Sequence, residues 1–106
     1  MRKRQPMQNR PPLAAPLKRD YIFTEHALER MKRRGLPEET VRAVLAAPEE
    51  RLEVRPGRMM FQAKVTMDAP ARTFLVRVIV DVSREPAEVV TAYRTSKISK
   101  YVGGKP

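Results

Sequence analysis

One short stretch, HALERMKRRG at residues 26–35, concentrates groups that could handle phosphate. His26 is the only histidine of the chain, and Arg30, Arg33 and Arg34 follow it. An imidazole titrates near neutral pH, and guanidinium groups bind phosphate oxygens through paired hydrogen bonds. RNA cleavage through the ribose 2′-hydroxyl needs a base, an acid and cations around the developing phosphorane, so this set suits it. A solvated basic helix without function is the alternative interpretation.

Further candidates lie in the second half of the chain. Tyr93 and Thr95 alternate to one side of a predicted last strand, and Arg94 goes to the other side. Tyr93 could bond a phosphate oxygen, stack on a base or transfer a proton. Arg58 could help to clamp the phosphate, with Arg30 and Arg33 from the helix. A half-buried aromatic ring and a charged strand end are the simpler interpretations of Tyr93 and Arg58.

The composition favours a polyanionic partner. The chain has 106 residues, enough for one domain, with 22 Lys and Arg against 12 Asp and Glu and a net charge of +10. Nucleic acid is the first candidate partner, and an anionic membrane surface is the second. The absence of cysteine excludes disulfides and thiolate sites, and a single histidine disfavours a zinc site. We therefore expect no metal and no cofactor.

Targeting signals are also missing from the sequence as given. No run of about 18 apolar residues is present, and the N-terminus lacks the apolar segment of a secretory signal. We therefore expect a soluble, cytoplasmic protein that does not span a membrane.

The pattern of residues predicts an arm, one domain and a short tail. Residues 1–20 hold four of the ten prolines and six Lys and Arg against one acid, which predicts a flexible basic arm. The arm is interpreted either as a solubilising leader or as a segment that orders on nucleic acid or on a partner protein. Residues 21–101 are expected to form a single domain, followed by a flexible tail at 102–106.

Two helices and then four strands are predicted within the domain. Thr24 and Gly35 bound a first helix at 25–34, and a second helix begins at Pro37 and ends before Pro48. Alternating segments predict strands at 51–55, 58–67, 72–82 and 88–96. The third strand carries apolar residues on both faces, so it should be central. The predicted fold class is α+β, with both helices on one face of a four-stranded antiparallel meander.

The helical wheel indicates how the first helix should sit. Ala27, Leu28 and Met31 form the stripe that should face the sheet. His26, Arg30 and Arg33 fall together on its flank, and we expect them at the edge where helix meets sheet, away from Glu25 and Glu29.

Two motifs resemble a small bacterial domain family of unknown function. One is the helix H-A-x-x-R-M-x-x-R-G, here residues 26–35; the other is a last strand T-x-Y-R-T-S-K followed by K-Y, here residues 91–97 and 100–101. The resemblance covers residues 22–101. That family in turn resembles the metal-independent ribonuclease toxins that include barnase, colicin D and RelE. It implies a RelE- or barnase-like layout, with His26 and Arg30 catalytic on the helix and Tyr93, Thr95 and Lys97 on the last strand.

These observations leave three functions open. The leading hypothesis is a toxin-type RNA endonuclease that leaves a 2′,3′-cyclic phosphate, with His26, Arg30 and Tyr93 catalytic. Its phosphate-binding residues would be Arg33, Arg34, Arg58, Thr95 and Lys97. The second is a non-catalytic RNA- or ribosome-associated module, and the third a protein–protein module whose arm docks on a larger complex. RNA is the expected partner, with an antitoxin, the ribosome or another protein complex as further possibilities.

Overall fold

The computed structural model describes residues 20–101. In chain order its elements are β1 (Tyr21–Phe23), α1 (Glu25–Arg33), α2 (Glu38–Ala46), β2 (Glu50–Arg55), β3 (Arg58–Met67), β4 (Arg72–Asp81), β5 (Ala87–Thr95) and a 3-10 turn at Ile98–Lys100. All but Asp20 of the predicted basic arm, and all of the predicted tail at 102–106, lie outside the described residues. No helix within residues 20–101 is long and apolar enough to cross a membrane.

The strands form one five-stranded sheet in the order β1-β5-β4-β3-β2. Strands β2 to β5 make the predicted antiparallel meander, with β4 in the centre. The prediction of a four-stranded, purely antiparallel sheet was wrong, because β1 adds to β5 in parallel, from Tyr21 opposite Ala87 to Phe23 opposite Val89. A strand of three residues is too short to show the alternation by which strands are recognised in a sequence. The architecture is therefore α+β with a mixed sheet.

Both helices pack on one face of this sheet, as the sequence predicted. α1 buries Ala27 and Met31 there, and Leu28 is half-buried beside them. α2 buries its predicted stripe of Val41, Val44 and Leu45. The sheet contributes the alternate residues of its strands to the same core, namely Phe61, Ala63, Val76, Val78, Val80, Ala87, Val89 and Ala92.

The ends of α1 are fixed by the residues that the sequence singled out. The Thr24 hydroxyl accepts a hydrogen bond of 3.0 Å from the Ala27 N–H at the start of the helix. At the other end Gly35 has a φ of 64°, which allows its N–H to reach the Lys32 carbonyl and the Leu36 N–H to reach that of Met31. The helix thus stops where the chain must turn toward α2.

The second face of the sheet, here called the open face, is the one turned away from the helices. Alternation places Gln62, Arg77 and Tyr93 on it, since both neighbours of Gln62 and of Arg77, and Ala92 before Tyr93, belong to the helix-covered core. Met60 and Leu75 are also on this face and are buried. The chain returns over it after β5, because the ring of Tyr101 lies against Arg77. The open face is therefore partly apolar and only partly covered.

Candidate functional site

The predicted helical part of the site is exposed on the outer side of α1. His26 and Arg30 are exposed, and within residues 20–101 neither side chain makes a hydrogen bond or an ion pair. Arg33 forms an ion pair of 3.3 Å with Glu29. The expectation that this flank lies away from acidic residues was therefore wrong: Glu29 is four residues before Arg33, which brings the two side chains together on one helix face.

Arg34 has a structural contact that the sequence did not predict. Its Nη1 donates to the carbonyl of Ala92 at 2.9 Å and to the hydroxyl of Thr91 at 3.1 Å. Because β1 pairs only with residues 87–89 of β5, the edge of β5 beyond Val89 lacks a strand partner in the described sheet. Arg34 caps part of that edge, and this role occupies one of its nitrogens.

Tyr93 lies on the other side of the sheet from α1. It stands directly opposite Arg77 of β4, whereas its neighbour Ala92 stands opposite Val78 in the helix-covered core. The structure therefore does not bring His26 and Arg30 together with Tyr93. The predicted catalytic set failed to assemble because α1 packs flat on the core face, and alternation along β5 sends Tyr93 to the open face.

A row of four polar side chains crosses the open face at the level of Tyr93. Glu50, Gln62, Arg77 and Tyr93 stand opposite one another on β2, β3, β4 and β5, and we call them the polar row. The Gln62 amide donates to the Glu50 carboxylate at 2.6 Å and accepts from Nε of Arg77 at 2.9 Å. Nη1 of Arg77 donates to the Tyr93 hydroxyl at 2.7 Å. These bonds fix the guanidinium between β3 and β5.

The environment of Arg77 is unusual for a half-buried cation. Gln62 is 1% exposed, and the ring of Tyr101 covers the guanidinium at 4.2 Å from Cζ to the ring centroid. Within residues 20–101 Arg77 forms no ion pair, and its Nη2 donates no hydrogen bond. Its direct partners are an amide oxygen, a hydroxyl and an aromatic ring, and the Glu50 carboxylate of the polar row reaches it only through Gln62. Such a group is suited to binding an external anion.

The remaining predicted residues lie on or near the open face at its two ends. Thr95 follows Tyr93 on the same face, and its hydroxyl accepts a 3.1 Å hydrogen bond from the backbone N–H of Lys97. Lys97 itself is exposed just after β5. Arg58 stands opposite Asp81, two residues along β3 from Met60 and four from Gln62. Arg58 is therefore displaced from the polar row.

Asp81 organises the turn at the Arg58 end. Its carboxylate accepts hydrogen bonds from the N–H and hydroxyl of Ser83, and these bonds hold the pKa of Asp81 below its ordinary value, with smaller help from Arg84 and Arg58. At the β2 edge, the hydrogen bond from Lys64 similarly lowers the pKa of Glu49. Both carboxylates serve contacts within the chain.

Sequence reasoning missed Glu50, Gln62 and Arg77 as a group. Arg77 belongs to the predicted strand at 72–82, for which the sequence indicated only a central position in the sheet. Its signal is one arginine flanked by three apolar residues on each side, in FLVRVIV at residues 74–80. A tight turn that pairs Met67 with Arg72 also sets Gln62 opposite Arg77, so the register could have been read from the turn.

Comparison with known proteins places the chain in a family without assigning an activity. A family described as a domain of unknown function (DUF4258) matches residues 23–94. Searches of curated proteins and of solved structures gave no match. The predicted resemblance to a domain family of unknown function is thus confirmed, while the likeness to ribonuclease toxins stays a prediction. Since the match spans more than half of its length, the chain belongs to the DUF4258 family.

Proposed function

We propose that this domain binds RNA on its open face and cleaves it without a metal, through the ribose 2′-hydroxyl. The observation that carries the proposal is Arg77, a half-buried guanidinium held by Gln62 and Tyr93 and not paired with a carboxylate in the described chain. The site differs from the one expected from the sequence, because it centres on Arg77 and not on His26.

A phosphodiester is a suitable ligand for Arg77. The free Nη2 and the second hydrogen of Nη1 can reach two oxygens of one phosphate, since the guanidinium is a planar fork. Its orientation is already fixed by the bond to Gln62, so little side-chain freedom is lost on binding. The net charge of +10 draws a polyanion toward the protein.

The aromatic rings beside Arg77 favour RNA among the polyanions. Tyr93 and Tyr101 both contact the guanidinium, with ring centroids 5.8 and 4.2 Å from Cζ. Aromatic rings beside a cation bind single-stranded nucleic acid, because bases stack on the rings while the cation holds the phosphate. A base can stack on the outer side of Tyr101 or replace that ring over Arg77.

The polar row also contains groups for the chemistry. The Glu50 carboxylate takes the proton of the 2′-hydroxyl while the 2′-oxygen attacks phosphorus. Arg77 stabilises the charge that develops on the non-bridging oxygens. The phosphorus–O5′ bond breaks, and the Tyr93 hydroxyl gives its proton to the leaving oxygen. The products are a 2′,3′-cyclic phosphate and a 5′-hydroxyl, and proton exchange with water restores Glu50 and Tyr93.

The remaining predicted residues take secondary places in this proposal. Thr95 and Lys97 lie next to Tyr93 at the end of β5, where they can contact the next phosphate of the strand. His26, Arg30, Arg33 and Arg34 lie on α1, on the helix side of the sheet, and here serve at most as a second contact for a longer RNA.

A non-catalytic RNA-binding module is the second candidate, and one observation favours it. The only histidine of the chain, His26, is exposed on α1 and does not belong to the polar row. Cleavage at the polar row would therefore have to proceed without an imidazole, with Glu50 and Tyr93 as the proton-transfer groups. In a binding module, these two groups would only hold Arg77 in place, and RNA would bind without being cut.

The test is cleavage of a mixed RNA pool in EDTA, with mapping of the new ends. Wild type is compared with Arg77→Gln, Glu50→Gln, Tyr93→Phe and His26→Ala, while Arg42→Gln is an equal-charge control on the helix side. Cuts with cyclic-phosphate ends that vanish in the three open-face variants and persist in His26→Ala would support the proposal. Binding without cutting would support the second candidate, and loss of cutting in His26→Ala alone would return the site to α1.

A further inference from the structure

Strand β2 is the long edge of the described sheet, and nothing in residues 20–101 covers it. All six of its residues, Glu50–Arg55, are exposed. Leu52 and Val54 keep 45% and 53% of their surface, which is high for large apolar residues. The opposite edge differs, because β1 has only three residues and Arg34 caps part of β5 beyond it. An exposed strand of this kind offers its outer N–H and C=O groups to another strand.

The charges on β2 are complementary to those on a second, antiparallel copy of the same strand. Arg51 and Glu53 lie two residues apart on one face of the strand, and neither forms an ion pair within residues 20–101. In an antiparallel pair of identical strands centred on Leu52, Arg51 of each copy stands opposite Glu53 of the other. The two Leu52 side chains meet on the axis, where both are now exposed. Opposite charges and apolar pairs in these positions stabilise antiparallel strands.

We propose that the chain forms a two-fold symmetric dimer by antiparallel pairing of β2 with β2 of a second copy, in the register that places Leu52 opposite Leu52. This register is selected by charge: a shift by two residues would put Glu53 opposite Glu53. The bulge between Glu53 and Arg55 limits the length of regular pairing and so disfavours longer, shifted registers. The proposal does not depend on the activity of the open face.

The dimer has a ten-stranded sheet whose two open faces lie on the same side. A two-fold axis perpendicular to the sheet keeps each face on its own side, so both polar rows face the same way. The two β4 strands are then about 24 Å apart, from five strand spacings of about 4.8 Å. Glu50 of each copy lies at the end of this pairing, close to the interface.

The test uses charge exchange in the full-length chain, with the apparent dissociation constant measured by sedimentation over a concentration series. Arg51→Glu alone or Glu53→Arg alone places like charges in both pairs and should raise that constant by about tenfold or more. Mixing the two single variants places Glu opposite Arg in both pairs of a heterodimer and should restore association. The double variant R51E/E53R should dimerise by itself, which shows that the single changes do not act by unfolding.

Three results would overturn this inference. A wild type that stays monomeric at the highest soluble concentration excludes the dimer. A dimer that is indifferent to Arg51→Glu and Glu53→Arg is formed by another surface. Protection of the β2 amides from hydrogen exchange in a monomeric wild type would show that another part of the same chain occupies the edge.

Discussion

Two arginines on opposite faces of the sheet show how differently one residue type can be used. Arg94, on the helix-covered face, donates to both oxygens of Asp68 at 3.0 and 3.1 Å and lies over the ring of Phe74. Arg77, on the open face, meets an amide oxygen, a hydroxyl and an aromatic ring. The charge of Arg94 is thus neutralised by Asp68, whereas Arg77 is paired with no carboxylate within residues 20–101.

On our proposal, this difference separates an arginine that stabilises the fold from one that binds a ligand. Keeping a cation partly out of water is costly unless a carboxylate or a bound anion compensates it. Asp68 provides that compensation for Arg94, even though its own φ of 77° is uncommon for a residue other than glycine. Among residues 20–101 the surroundings of Arg77 fix its geometry but place no carboxylate in direct contact with it. We therefore expect loss of Arg94 to lower the free energy of unfolding. Loss of Arg77 should instead lower RNA binding and cleavage.

The largest effect is expected for Arg77→Gln. RNA cleavage in EDTA should fall by about 100-fold or more, because the group that stabilises the phosphorane is removed. The thermal unfolding midpoint should change little, since the new glutamine side chain can still form a hydrogen bond with Gln62 or Tyr93. Arg42→Gln, which makes the same change of net charge on α2, should leave cleavage within about twofold. Equal losses in both variants would mean that charge alone, and not the polar row, matters.

Tyr93→Phe tests the proton donor next to Arg77. The ring is kept and the hydroxyl is lost, so the cleavage rate should drop by about 10-fold to 100-fold while RNA affinity stays within a few fold. Single-turnover kinetics with a separate binding titration measures both quantities. A loss of affinity with an unchanged rate at saturation would assign Tyr93 to binding only.

Arg94→Gln should show the opposite behaviour to Arg77→Gln. Removing the ion pair with Asp68 and the stacking on Phe74 should lower the free energy of unfolding by about 1–2 kcal/mol. RNA affinity and cleavage should be unchanged at temperatures where the variant is folded. Denaturant unfolding measures the loss of stability, and the EDTA cleavage assay measures the activity. A cleavage defect in the folded variant would contradict the assignment of Arg94 to the fold and of Arg77 to RNA.

The smallest effect is expected at Asp81, at the far end of the open face. Its folded-state pKa is lowered by the Ser83 hydrogen bonds, so its stabilising contribution is present above its ordinary pKa of 3.8 and is lost as the pH falls through the lowered value. Asp81→Asn should therefore be slightly less stable than wild type at neutral pH, and the difference should disappear in acid. Denaturant unfolding at several pH values measures this. A stability difference between the two proteins that grows in acid would contradict a lowered pKa of Asp81 in the folded protein.

The sequence predicted most of the fold because the relevant signals are local. Thr24, Gly35 and Pro48 mark helix ends, and the strands from 51 to 96 follow a period of two, so each element was placed within one residue or so. β1 escaped prediction because its three residues pair in parallel with β5, sixty-six positions away at Tyr21 and Ala87. That contact depends on the packing of the whole chain.

The candidate site was harder to predict than the fold. Residue types with familiar chemistry drew attention to His26 and Arg30, yet their position on α1 separates them from Tyr93. In the sequence, Arg77 is one charged residue within an apolar strand. Its role became visible only from the strand register, which places Gln62 and Tyr93 opposite it. The family match over residues 23–94 established membership of the DUF4258 family and carries no activity with it.

Binding of RNA to the open face can be observed residue by residue, by NMR mapping of backbone amide shifts. A short single-stranded oligonucleotide with its reactive 2′-hydroxyl replaced by 2′-methoxy is titrated into wild type and Arg77→Gln. We expect shifts concentrated around Gln62, Arg77 and Tyr93 in wild type, and their loss in the variant. Shifts concentrated on residues 26–34 and retained in Arg77→Gln would contradict binding to the open face.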